Sequence, residues 1–365
     1  MDTKLPKTFY ATAILAGSII GAGIFALPFI GLKSGLGILF FYLVFLGIIC
    51  LFIHNFVAEI SLKSPDFKRI PSFVGEYLGK NAKRLSFVSA ILGMLGVILA
   101  YIILGGNFIS LLGPDPFWGT LIFFLLGAVF IFAGISMISR IELWAVVSFF
   151  VVILIVFLKT FNLIDVANFD LENNFAMFFL PYGPVLFSFW GISIIPEVEE
   201  VLGKEKKSLK KVIAFSMLIC FLIYSLFIFL VLGLCGGATT ESAIDCLSPF
   251  GDSVLLLVVI FGLLTTFTSF ITIGLTLKKV FWFDLKIDKK IAALITCGVP
   301  LILFLIGITD FIEVISFVAG IFFAIDGILI ILIYGKINRK KRWLAYSIGL
   351  VFLAGAALQI ISFFN

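Results

Sequence analysis

The chain has 365 residues, of which 62% are hydrophobic, 16% aromatic and only 13% charged, with a net charge of +5. Ordinary soluble domains carry roughly 25% charged residues, and a soluble chain of this length could not hide so much apolar surface from water. The composition excludes a secreted enzyme and a nucleic-acid binder, and it disfavours a β-barrel, whose strands would alternate apolar with polar.

In chain order, apolar runs occupy residues 9–30, 36–60, 86–112, 118–138, 142–158, 176–202, 212–234, 253–277, 291–308, 312–334 and 343–363. At about 20 residues per span, this length predicts an all-α polytopic membrane protein of about eleven transmembrane helices, with no room for a soluble domain. The first run follows Lys4 and Lys7 and exceeds the 7–15 residues, or about that, of a signal-peptide core, so it reads as a retained helix. Basic residues in short loops stay on the cytoplasmic side. With eleven spans, 24 of the 26 Lys and Arg fall on the side of Lys4 and Lys7, leaving Lys33 and Lys159 on the other. A wrong span count would scramble that parity. The N-terminus is therefore expected in the cytoplasm and the C-terminus outside, in a multi-pass plasma-membrane protein surrounded by lipid.

Cys50, Cys220 and Cys297 fall within spans, as small apolar packers. Cys235 and Cys246 share the loop after the seventh run, where an oxidising compartment would allow either a disulfide or two free thiols. No ligand spacing for a structural zinc site occurs, and no cofactor is expected beyond a coupling ion.

Two spans carry interruptions. The first contains Gly17, Ser18, Ile19, Ile20, Gly21, Ala22, Gly23, Ile24 and Phe25, followed by Pro28. Three glycines in seven residues weaken a helix where lipid offers its backbone no other partner, so an unwound stretch must line a cavity or be buried in protein. Close packing through the Gly17/Gly21 pair is the competing explanation. The sixth span contains Phe187, Ser188, Phe189, Trp190 and Gly191, then Pro196. With ten spans taken as two halves of five, the first helix of each half is broken and the halves run in opposite directions, as expected of inverted repeats with a midplane site. Half-helix ends suit a zwitterion: amides of Gly21, Ala22 and Gly23 would receive a carboxylate, and carbonyls near Phe187 to Phe189 an ammonium group.

These two motifs, with Pro196-Glu197-Val198-Glu199-Glu200, resemble the amino acid/auxin permease group of the amino acid–polyamine–organocation superfamily, to which the hydroxy and aromatic amino acid permeases are related. The resemblance implies a leucine-transporter-type fold in a single transport domain. Residues 8–160 would form the first repeat, 175–334 its inverted partner, and 343–363 an extra helix. It also implies secondary active uptake of an amino acid, expected to be neutral, by a protein working as a monomer. Gly17, Ser18, Gly21, Ala22, Gly23, Tyr101, Phe187, Ser188, Phe189, Trp190 and Gly191 are the substrate-site candidates, with Phe25, Phe189 and Trp190 as occluding groups. Gly105, Gly106 and Asn107 would border the cavity or serve packing.

The eighth span carries Thr265, Thr268, Ser269, Thr272 and Thr276 within an arc of roughly 100°. Such a face points inward, for helix packing or for Na⁺, a hard cation served by neutral oxygens. By resemblance, Thr265, Thr268 and Ser269 with carbonyls of Gly17 and Ile20 would hold Na⁺. Some proton-coupled relatives place a fifth-span lysine there; this span has none in its interior, and Lys159 lies at its end. Asp326, in the middle of the tenth span, is the proton-coupling candidate, because a carboxylate there costs about 2.5–3.5 kcal/mol to insert. It could instead be a hydrogen-bonded structural Asp. His54 reads as a packing or hydrogen-bonding residue, and Glu197 and Glu200, with Lys204, as an interfacial ion pair or gate. A membrane-embedded enzyme would need a nucleophile with a base or a metal cluster, and a channel would need a repeated filter. One histidine and one mid-span aspartate offer neither.

Overall fold

The computed structural model describes residues 6–63, 69–134, 148 and 151–364, all helix and connecting turns with no strand among them. The helices are α1 (Lys7–Ile19), α2 (Gly23–Ser34), α3 (Leu36–Ser61), α4 (Ile70–Leu78), α5 (Lys80–Ser110) and α6 (Pro116–Ala133). Then come α7 (Val151–Leu163), α8 (Tyr182–Phe189), α9 (Ile195–Leu202), α10 (Leu209–Cys235), α11 (Asp252–Lys279) and α12 (Lys289–Leu305). The chain ends with α13 (Phe311–Phe317), α14 (Ala324–Ile337) and α15 (Arg342–Phe364). Among the described residues seven helical stretches are long and apolar enough to cross a membrane, and α1 with α2, bent by 53°, makes an eighth. One of the seven, Tyr182–Ala238, runs through two of the expected spans. Of the expected fifth span, residues 142–147, 149 and 150 lie outside the described residues, and 151–158 belong to α7.

Lipid explains the burial pattern. On α3, Phe41, Val44, Phe45 and Ile48 form an exposed stripe at helical spacing, while Leu39, Leu43, Leu46, Cys50 and Ile53 are buried on the opposite side. Helix ends carry their own punctuation. Asp115 accepts the Phe117 N–H at 2.9 Å ahead of α6, which stops at Gly134 in the left-handed region. Lys278, just past the eighth apolar run, turns inward and donates to the carbonyls of Ile131 (2.6 Å) and Phe132 (3.1 Å), satisfying the end of α6.

The two ends of the bundle are closed differently. At one end the segment between α7 and α8 straps across its neighbours. Asn168 Nδ2 donates to the Gly233 carbonyl at 3.0 Å, the Asn174 N–H to that of Ser34 at 2.9 Å, and Asn173 accepts the Ile38 N–H at 3.2 Å. Cys235 and Cys246 form a disulfide at this end, with Cα atoms 5.8 Å apart. At the other, basic end, Lys210 pairs with Glu59 at 2.6 Å and the Ser61 hydroxyl donates to Glu199.

Candidate functional site

A cavity of about 400 Å³ lies between the two interrupted helices, within the usual range of small-molecule sites, roughly 300–1,000 Å³. Its deep part is lined by Ser18, Gly21, Gly23, Tyr101, Phe187, Trp190 and Gly191. It continues past Phe323 and Asp326 to the basic end, where Arg69 and Asp284 form an ion pair at 2.9 Å.

The first interruption falls at Ile20 to Ala22. Gly17, although a candidate for the unwound stretch, remains inside α1. The Gly21 N–H turns back to the Ile19 carbonyl at 2.8 Å, so the amide end facing the cavity is the first turn of α2. That end has no side-chain cap, which leaves the leading N–H groups of a helix as an anion-seeking site. Glycine is required by proximity. A Cβ on Gly23 would lie 2.9 Å from Ser188 Cα and 3.0 Å from the Phe187 ring, while one on Gly21 would lie 2.8 Å from the Tyr101 hydroxyl oxygen.

The second interruption follows α8. Trp190 adopts an extended conformation, Gly191 follows, and a single 3₁₀ turn over Ile192–Ile194 leads into α9. A Cβ on Gly191 would meet Ile19 at 2.5 Å and His54 Nε2 at 3.3 Å, so the two breaks interlock. Trp190 stacks on Phe323 with centroids 5.1 Å apart, and Phe187 stacks on the same ring at 5.8 Å. This aromatic group forms one wall of the cavity.

Other candidates fall elsewhere. The Ser188 hydroxyl donates to the Pro184 carbonyl at 2.7 Å, and Phe189 is buried edge-on against Tyr224. Ala22 is fully buried, and Phe25 packs on Phe108 and Phe227. The carbonyls proposed for an ammonium group are partly committed, that of Phe187 to the Trp190 N–H at 3.3 Å and that of Ser188 to the Tyr224 hydroxyl at 2.6 Å. Gly105 and Gly106 admit Phe123 and Thr120 of α6, a packing role.

On α11, Ser269, Thr272 and Thr276 face the cavity. The threonine hydroxyls return to their own helix: Thr265 to the Phe261 carbonyl at 2.7 Å, Thr268 to that of Thr265 at 3.0 Å, and Thr272 to that of Thr268 at 2.9 Å. A donating hydroxyl keeps its lone pairs, so these oxygens retain cation-ligating capacity. α1, which carries Gly17, packs chiefly on α10 and α9. Among the described residues no cluster of His, Cys, Asp and Glu could hold a metal ion.

Asp326 sits in the first turn of α14, just after a π-helical stretch at Val318–Phe323, and lines the cavity. Its Oδ1 atom is buried with no hydrogen-bond partner, as are the hydroxyls of Ser18 and Ser86 on the same cavity. His54 donates through Nδ1 to the Cys50 carbonyl at 2.6 Å, leaving Nε2 without a partner. Sequence reasoning missed Tyr224, whose hydroxyl also reaches the Ile19 carbonyl at 3.1 Å. A lone tyrosine in an apolar span is the signal that was there to find, because a buried phenol needs a partner.

Fold and cavity together define a polytopic membrane protein with a cavity between two interrupted helices. Residues 4–354 match the model of the tryptophan/tyrosine permease family, and the chain belongs to that family. It is also similar to the tyrosine-specific transport system 1 of Haemophilus influenzae, with 24% identity over 211 residues. That alignment covers 56% of this chain and 52% of the relative, so the chain spans about half the length of the curated relative it matches. Membership places the chain among permeases and not among enzymes.

Proposed function

We propose that the chain is a secondary active transporter that takes up aromatic amino acids, tyrosine and tryptophan foremost, by alternating access. The observation that carries this reading is the cavity between the two breaks, walled by Phe187, Trp190 and Phe323, in a chain of the tryptophan/tyrosine permease family. The first turn of α2 binds the substrate carboxylate and the aromatic wall takes the ring. The surrounding architecture is the five-plus-five inverted repeat with an added C-terminal helix, N-terminus in the cytoplasm and C-terminus outside, working as a monomer. In that orientation the cavity extends toward the cytoplasm, with the Arg69–Asp284 pair among the residues that line it there.

Uptake is driven by a sodium or a proton gradient, and each has a structural candidate. The α11 hydroxyls, with carbonyls at the first break, suit Na⁺. The partnerless carboxylate oxygen of Asp326 in the cavity suits a proton. The deciding experiment is radiolabelled tyrosine and tryptophan uptake in proteoliposomes, with Na⁺ replaced by choline and pH varied separately. Saturable uptake that needs one of the two gradients supports the reading. Ohmic current, or no uptake under either gradient, overturns it.

A further inference from the structure

α10 is laced to α1 by donors one helical turn apart. Ser216 donates to the Thr12 carbonyl at 3.1 Å, Cys220 Sγ reaches that of Ala16 at 3.8 Å, and Tyr224 reaches that of Ile19 at 3.1 Å. The first two contacts touch an intact helix. The third falls where α1 stops, and the same hydroxyl is only 2.6 Å from the Ser188 carbonyl, near the end of α8. One fully buried phenol thus meets carbonyls near the C-terminal ends of both half-helices. A hydroxyl has one proton, so this is a three-centre bond weighted toward Ser188. Both carbonyls carry the partial negative charge of a helix end; that of Ile19 also accepts the Gly21 N–H at 2.8 Å, so the hydroxyl is the tie between the two ends and not the sole donor to each. Phe189 packs edge-on against the Tyr224 ring and fixes its position.

We propose that Tyr224 is the positioning residue that holds both interruptions in one geometry, so that the two half-helix ends flanking the cavity open and close as a unit. Tyr224 lines no part of the cavity and acts through Ile19 and Ser188. The kinetic consequence rests on the transport reading; the structural one does not.

The test is hydrogen–deuterium exchange on the full-length protein in lipid nanodiscs, comparing wild type with Tyr224→Phe, which keeps the ring and removes the donor. Interhelical hydrogen bonds in membranes have measured strengths that correspond to roughly three- to twentyfold in an equilibrium. Exchange should accelerate by that factor in both 17–25 and 186–194, whereas Ser216→Ala should loosen α1 alone. The KM for tyrosine should rise by a similar factor with Vmax held, because binding must now order the breaks. Unchanged exchange at both breaks, or acceleration at only one, overturns the proposal. If Tyr224→Phe does not accumulate in the membrane, denaturant-dependent exchange of the wild type decides. One shared opening isotherm for the two segments supports the unit, and two separate isotherms contradict it. A wild type that takes up no aromatic amino acid sinks the transport reading while leaving the exchange result to decide the role of Tyr224.

Discussion

The two interruptions look alike in the sequence, a glycine with a proline five residues later, yet they are built differently. The first is a bend of 53° in which a single stretch, Ile20 to Ala22, separates two helices. Its glycines make room for another part of the protein: Gly23 touches the backbone of Ser188, and Gly21 the tip of Tyr101. The second uses an extended residue, Trp190, and a 3₁₀ turn, and Gly191 makes room for the side chains of Ile19 and His54. Contact with backbone allows no escape, whereas a side chain can rotate away. The first break is thus the more rigid member of the pair and the second the more compliant one, although residues of both line the cavity.

That difference orders the expected effects of adding one methyl group. Gly23→Ala should be the most damaging, since overpacking against fixed backbone costs roughly 1–3 kcal/mol, or about five- to 150-fold in tyrosine affinity. Membrane insertion and elution profile should be unaffected. Gly191→Ala should cost about fivefold, near 1 kcal/mol, because Ile19 must shift and His54 lies just beyond it. Gly21→Ala should cost least of the three, about threefold, as the Tyr101 hydroxyl lies at the far end of a long side chain. Equilibrium binding of labelled tyrosine to the purified variants ranks them; an inverted order would show that the second break, not the first, holds the substrate. Smallest of all should be the effect of Asp284→Asn on thermal stability. The pair it breaks is partly exposed, with side chains 40% and 33% accessible, and such pairs contribute about 0–1 kcal/mol. A melting scan reads it, and a large loss there would mean the basic end is held by this pair instead of by buried contacts such as Ser61 with Glu199.

The apolar runs that lie among the described residues were legible because a lipid environment forces long helices, and the Cys235–Cys246 loop was legible as a place where a bridge could form. Both breaks were legible too, the first from three glycines in seven residues and the second from Gly191 with Pro196. Their extent was not: Gly17 stays helical because α1 is supported along its length by Ser216 and Cys220 of α10. The Arg69–Asp284 pair joins residues 215 apart in sequence, and the strap from 161 to 178 pairs with three distant helix ends, so neither leaves a local pattern. The π-helical stretches at Val280–Asp284 and Val318–Phe323, which end at or just before the cavity-lining Asp284 and Asp326, have no signature in the spacing of apolar residues. The ion pair expected of Glu197 and Glu200 with Lys204 falls instead to the buried Glu199, which lies 3.9 Å from Lys206.

The central claim is that the space between the two breaks binds an aromatic amino acid. Its most direct test is saturable binding of labelled tyrosine to the purified wild-type protein and to Gly23→Leu, with tryptophan as competitor. The account predicts one tryptophan-displaceable site in the wild type and none in a correctly inserted Gly23→Leu protein. Equal affinity in both would contradict it.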